Sequence, residues 1–396
     1  MSRAWIVLAF LITGCSEDLR LGRVGAAIPE LGPRTLAVQS NHTCALGNAR
    51  VWCFGSNLHT QLGVPEFGND MLPVEVLMPD GRRAVELAAG RSFSCARLDD
   101  GGVVCWGGNE FGELGRGTIE AFDENREGRA QPVRLVGVPP AEGVFAGAHG
   151  ACLVDERRDL YCWGRNHFGQ IDPTSMDLTV PEPRRIQGVA AFEVALAEQH
   201  TCVRTLDQRA QCYGANEAGQ LGDGTTTDRR APEEPFDLGP ITRLVALDVG
   251  REAARATTCA LREDGTVRCW GEDDVGQVGN GDEPADLRVP NDVVGLSGVE
   301  ELVAGQRGVL ARTRAGWFAW GFNQTRAFGS GPSAMNVAVP QPAPFFDRFS
   351  SVGIGTHHAC GIENNVVFCW GTSVFGSLPG VPMDGELLTP TPYPIP

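Results

Sequence analysis

The sequence predicts an all-β fold, a seven-bladed β-propeller of four-stranded blades, and three observations carry that prediction. A Cys-Trp-Gly-like tripeptide recurs seven times in 396 residues, its glycine at Gly55, Gly107, Gly164, Gly214, Gly271, Gly321 and Gly371, at intervals of 50 to 57. Each interval holds four short apolar segments divided by turn residues, as in "VELAAG", "SCARL", "GVVCWG" and "QPVRLVGV". Glycine at 51 and proline at 26 interrupt the chain too often for long helices, and self-similarity at this period marks an array or a ring.

From the N-terminus, "MSRAWIVLAFLITGC" has a basic Arg3, an apolar run from Ala4 to Ile12 and a small-residue site ending at Cys15. The run is too short to span a bilayer. Its "ITGC" ending resembles a bacterial lipobox, which implies lipidation of Cys15 with chains such as palmitate, cleavage before it, and export. An ordinary signal peptide with a chance cysteine is the other reading. The expected organisation is a signal peptide over 1–14, the lipidated Cys15 and a flexible tether over 15–33, and the propeller over 34–396. Several acyl chains on one residue anchor stably, each buried methylene contributing about 0.8 kcal/mol. The expected location is the bacterial cell envelope, at the outer membrane, with the lipid as the sole membrane contact. Against 33 Lys and Arg stand 49 Asp and Glu, and the net charge of −16 repels phosphate backbones, so no nucleic acid partner is expected.

Within the repeats the cysteines come in pairs nine or ten apart: Cys44 with Cys53, Cys95 with Cys105, Cys152 with Cys162, Cys202 with Cys212, Cys259 with Cys269, and Cys360 with Cys369. Exchanging a three-residue hairpin loop for a two-residue one keeps both cysteines opposed across the antiparallel pair. Opposed residues at a non-hydrogen-bonded site have Cα atoms about 4.5 Å apart, inside the disulfide range. The sixth copy, "GVLARTRAGWFAWG", has neither cysteine, its equivalent positions being read as Val309 and Ala319. Paired loss favours six disulfides over reduced core thiols, and the thirteenth cysteine is Cys15. Structural zinc would call for a Cys-x-x-Cys knuckle, and the sequence has none. His42, His200 and His358 stand two before a cysteine where other units have Phe93, Gly150, Thr257 and Arg307, which suits a packing and loop-anchoring site better than a ligand.

The units "HTCAL", "CWG" and "GxNxxGQLG" and the closing proline-led strand resemble the repeats of the regulator of chromosome condensation family over nearly all of Thr35 to Pro396. The resemblance implies a seven-bladed propeller, agreeing with the count from spacing. The sequence departs from the pattern at Val309 and Ala319, and at Asp273 and Ser373, which replace the usual asparagine. Founding members exchange guanine nucleotide on a small nuclear GTPase and bind chromatin, partners that an exported, acidic lipoprotein does not meet. Similar repeats in exported bacterial proteins look like protein-binding platforms.

No catalytic constellation is recognisable. There is no G-x-S-x-G elbow, H-E-x-x-H pair or phosphate loop, and "GDGTTTD" at Gly222 reads as a turn. No cofactor and no metal are expected; "DENRE" (Asp123 to Glu127) lacks the ordered spacing of a calcium loop. The acidic pairs Asp273–Asp274 and Glu233–Glu234 read as solvated surface, and Trp317, at an apolar position in every unit, as core. With strands A to D numbered outward from the axis, A–B and C–D loops share one face. There "RGTIEAFDENREGRAQ" (Arg116 to Gln131) and "REAARATT" (Arg251 to Thr258) are enlarged. Variable loops on a rigid scaffold are where binding resides. The candidate contacts are Phe122, Asp123, Glu124, Arg126, Arg251 and Arg255. The function expected is a non-catalytic, monomeric, envelope-anchored platform for another protein. The alternative is an enzyme or glycan-binding protein with a pocket at the central channel, and nucleotide exchange is a third reading by family analogy alone.

Overall fold

All seven repeat glycines sit at φ between +99° and +117°, where a Cβ would lie 2.3–2.7 Å from a backbone carbonyl oxygen of the A–B turn in the same repeat. The backbone must pass that close because the next residue donates its N–H to this carbonyl, as Ser56 does to Asn41 and Arg165 to His149. Only glycine combines this φ with this approach, so the tripeptide ties the end of strand C to the start of strand B.

The computed structural model describes residues 35–39, 41–47, 50–69, 71–122, 125–248, 255–282, 285–329 and 335–393. The proposed signal peptide, Cys15 and the tether lie outside them. The described residues form an all-β propeller of four-stranded antiparallel blades, with five separate four-stranded sheets and one seven-stranded sheet. In the first sheet the strands are Leu36–Val38, His42–Gly47, Arg50–Gly55 and Met71–Val76. The seven-stranded sheet is built around the 18-residue strand Thr179–Leu196. Its first part pairs with Asp159–Arg165 and its last, from Ala191, with His200–Thr205. The outer D strands carry Pro73, Pro181, Pro232, Pro290, Pro340 and Pro390. Proline withholds a donor from an exposed edge, which discourages pairing with another chain.

Six disulfides close the B–C hairpins between the expected partners, with Cα atoms 4.1 Å apart. Each pair is in direct register, Cys95 opposite Cys105 and Cys360 opposite Cys369 among them. All twelve sulfurs belong to residues at most 1% exposed, so they staple the core.

The sixth repeat corrects the sequence reading by one residue. Gly308 opposes Gly321 and Leu310 opposes Ala319, so the cysteine equivalents are Leu310 and Ala319, not Val309 and Ala319. The hairpin turns on Arg314 and Ala315 alone, which makes the separation nine rather than ten. For the same reason Gly308, not Arg307, is the counterpart of the histidines. Leu310 and Ala319 are fully buried, and Trp317, 4% exposed, fills the space beside them against Phe346.

Neighbouring blades share apolar clusters, such as Cys44, Val51 and Cys53 of the first repeat with Leu87, Ala96 and Trp106 of the second. They are also bolted by polar contacts. The indole N–H of Trp106, Trp163, Trp270, Trp320 and Trp370 donates at 2.7–3.0 Å to a carbonyl in the C–D loop of the preceding repeat. His42 and His200, fully buried, bond through Nε2 to Ser94 and Thr258 of the following repeat at 2.9 and 2.8 Å. Those hydroxyls donate onward to the Gln61 and Gln220 carbonyls. A hydroxyl has one proton to give, so each histidine must be the donor, in its Nε2–H form. Burial pulls the imidazoles of His42, His200 and His358 down to about 3, which keeps them neutral. The packing and anchoring role read from the sequence is the one these side chains have.

The seam between the last and first repeats uses the same parts. His358 bonds Thr43 at 2.9 Å. Leu36, Ala45 and Phe54 share a cluster with Ile362, Val367 and Tyr393, and the Phe54 and Tyr393 rings stack at 5.2 Å. No strand crosses this seam among the described residues, because the first and last sheets each contain strands of one repeat only.

Candidate functional site

The face carrying the A–B and C–D loops is assembled by one polar hub per repeat. Two residues past each repeat glycine, a side-chain oxygen accepts the N–H of the residue five further on, from Asn57 with Leu62 to Ser373 with Leu378, at 2.8–3.3 Å. At Asn57, Asn109, Asn166 and Asn216 the amide also donates into the outgoing C–D loop, as Asn57 does to the Val64 and Glu66 carbonyls and Asn216 to those of Thr225 and Thr227. Each of these loops is thereby held at both ends. Ser373 accepts the Leu378 N–H and donates its hydroxyl to the carbonyl of that same residue. Asp273 keeps only the accepting half, from Val278, and it is not the solvated acid that the sequence suggested. It is 1% exposed, and burial, reinforced by Asp274, Asp286 and Asp282, raises its carboxyl to about 6 against the Val278 N–H that it accepts.

The enlarged loop of the second repeat is knitted together rather than loose. The Arg116 guanidinium donates to the Cys105, Gly128 and Gln131 carbonyls, the last two belonging to the short helix Arg126–Ala130 and to the residue that caps its end. Arg129, fully buried, donates to the Phe122 carbonyl and so fixes that ring's position. Phe122 is 38% exposed and meets Phe67 and His59 of the first repeat edge-on, at centroid distances of 6.3 and 4.7 Å. Arg126 lays its guanidinium 4.5 Å from the Phe67 centroid and 5.7 Å from that of Phe122.

Of the residues singled out from sequence, Phe122 and Arg126 are therefore brought together, while Asp123, Glu124 and Arg251 lie outside the described residues. Arg255 is engaged within the chain, with Glu272 at 3.0 Å and Asp286 at 2.6 Å. Sequence reasoning missed Phe67 and His59, whose C–D loop in the first repeat is of ordinary length and gave no signal. Further round the face, Phe111 packs against His149 and His167, and Glu198 receives Arg91 at 2.9 Å and Arg165 at 3.0 Å. Ile119, Met176, Met335, Phe375 and Met383 add exposed apolar side chains to the C–D loops. Among the described residues, the C–D loops of the fourth and fifth repeats expose no large apolar side chain and instead carry acids such as Glu217, Asp223, Asp282 and Asp286.

A channel of about 570 Å³ runs along the axis between the A strands, walled by small and apolar residues including Val38, Ala88, Leu196, Ala246 and Ile354. Its charged lining is paired, Glu193 with Arg204 and Arg243, and Glu301 with Arg312. No group of three or more candidate metal ligands is found among the described residues.

Models of the regulator of chromosome condensation (RCC1) repeat match residues 48–97, and again 84–113, 142–170 and 255–277. The chain carries repeats of the regulator of chromosome condensation type. It is 28% identical over 320 residues to the ultraviolet-B receptor UVR8 of Arabidopsis thaliana, covering 78% of this chain and 69% of that one. It is 26% identical over 244 residues to the probable E3 ubiquitin-protein ligase HERC6 of Homo sapiens, a match that covers 56% of this chain but only 23% of HERC6. Among solved structures, yeast RCC1 (Prp20) bound to Kap60 superposes with a TM-score of 0.75 at 18% identity, over 98% of this chain and 91% of that one. Human WBSCR16 gives 0.71 at 19% identity, over 88% and 95%. At such identities the structures speak for the fold alone.

Proposed function

We propose that this protein is a seven-bladed, lipid-anchored platform of the bacterial envelope that binds another protein, without catalysis and as a monomer, through its A–B and C–D loops. The observation that carries the reading is the exposed cluster of Phe67, Phe122 and Arg126, since partly exposed aromatic and arginine side chains on a rigid frame are what interface hot spots are made of. Seven blades follow if the seven-stranded sheet counts as two, with Thr179–Leu196 acting first as a D strand and then as an A strand. Its change of partner at Ala190 and Ala191 supports that count. Relatives named as a light receptor and as a ubiquitin ligase, and a yeast relative solved bound to Kap60, suit a scaffold whose partners differ while its frame persists.

Proximity crosslinking in native cells tests the platform. A recurrent protein captured through 116–131 or 255–258 supports it, and saccharide adducts or none would move the reading to the axial channel. Anchoring is tested by Cys15→Ser, which is expected to release the chain from membranes. Continued membrane association of the variant would remove the lipobox reading.

A further inference from the structure

Arg126 is held differently from the paired arginines of its face. Arg91 and Arg165 are paired with Glu198, Arg255 with Glu272, and Arg307 with Asp274. Arg126 makes no ion pair or hydrogen bond among the described residues, although the chain carries a net charge of −16. What holds it is aromatic, the rings of Phe67, 52% exposed, and Phe122. Stacking of this kind leaves the in-plane N–H donors of a guanidinium free and strips water from its flat sides, which strengthens any charge-assisted bond made at its edge. A second cation lies underneath, the buried Arg129, whose Nε and Nη1 have no hydrogen-bond partner. His59 adds no charge at neutral pH, because burial and then Arg129 hold its imidazole below its ordinary value. The patch is thus a cationic fork set between two exposed rings in an acidic protein.

We propose that the Phe67–Phe122–Arg126 patch is an anchor site for a short acidic segment of the partner protein, a carboxylate on Arg126 with an adjacent apolar side chain against the two rings. This rests on the platform reading above and names the chemistry of its ligand. The ring spacings of 6.3 and 4.7 Å from Phe67 through Phe122 to His59 accommodate about three residues of extended chain. A single carboxylate suits the site better than a polyanion. A nucleic acid or an anionic membrane would also have to approach Glu217, Asp223 and Asp286 on the same face, whereas one short segment contacts the patch alone.

The test is selection of random peptides displayed on phage against the full chain, with affinities of synthesised winners read by fluorescence anisotropy. Winners are expected to carry Asp or Glu beside Leu, Ile or Phe. Arg126→Gln should weaken them at least about tenfold, in line with loss of a charge-assisted hydrogen bond, and Phe67→Ser should weaken them too. Arg314→Gln, on a B–C hairpin and 93% exposed, should leave affinity unchanged, and equal melting temperatures establish that the variants are folded. Failure to enrich peptides, winners without an acid, or affinity indifferent to Arg126→Gln would each overturn the proposal. Cellular crosslinking of the Arg126→Gln variant separates the two levels. Loss of the captured partner agrees with the anchor, whereas undiminished capture through the same loops overturns the anchor and leaves the platform standing.

Discussion

At the scale of single residues, the buried polar groups give the sharpest expectations. Asp273 has a folded pKa of about 6 against an ordinary 3.8. A carboxyl raised in this way contributes stability below about pH 4 that is lost as the pH climbs through 6. Asp273→Asn should therefore stabilise the protein by about 1 kcal/mol at pH 7.5, the worth of a restored neutral hydrogen bond, and give little gain at pH 4; melting at the two values decides. The buried histidines run the other way. With pKa values lowered from 6.5 to about 3, their contribution is intact above pH 6.5 and is lost progressively toward pH 3. His200→Gln should flatten the acid limb of the stability profile by roughly 1 kcal/mol per pH unit. Tyr213 occupies the latch-tryptophan position of the fourth repeat, and its buried hydroxyl finds no partner among the described residues. Tyr213→Trp should place an indole N–H near the Gln170 carbonyl, which already accepts Thr201, and raise stability by about 1 kcal/mol. The anchoring role of the histidines was legible beforehand; the burial of Asp273 and Tyr213 was not, because an Asp-Asp pair reads as surface and a lone tyrosine carries no signal of where it points.

Elements were more legible than residues. Opposed cysteines across a hairpin are fixed by chain geometry alone, and all six pairs were readable from spacing. The error in the sixth repeat arose where that constraint was missing: without cysteines to fix the register, a two-residue turn was taken for a three-residue one. Removing one staple as the pair Cys202→Ala and Cys212→Ala is expected to destabilise by about 2–3 kcal/mol on the chain-entropy model, measured by denaturant unfolding. A much smaller loss would mean that the opposed strands hold register without the bond. The candidate loops were half legible. Length singled out the loop with Phe122 and Arg126, but Phe67 and His59 come from a loop of ordinary length and meet it only because successive repeats are neighbours in space.

At the scale of the molecule, periodicity predicted the architecture because each repeat can bury its apolar surface only against the next. Partner identity was not legible for the complementary reason, since it depends on a few side chains that the period does not constrain. The seam between the last and first repeats has a further consequence. Its histidine bond and shared cluster are made of the same parts as the other junctions, and no strand among the described residues bridges it. The ring therefore has no privileged starting point. A circularly permuted gene, joining the old ends through a short linker and opening between the second and third repeats, should still encode the same fold. Opening within Thr179–Leu196, where one strand serves two neighbours, should not.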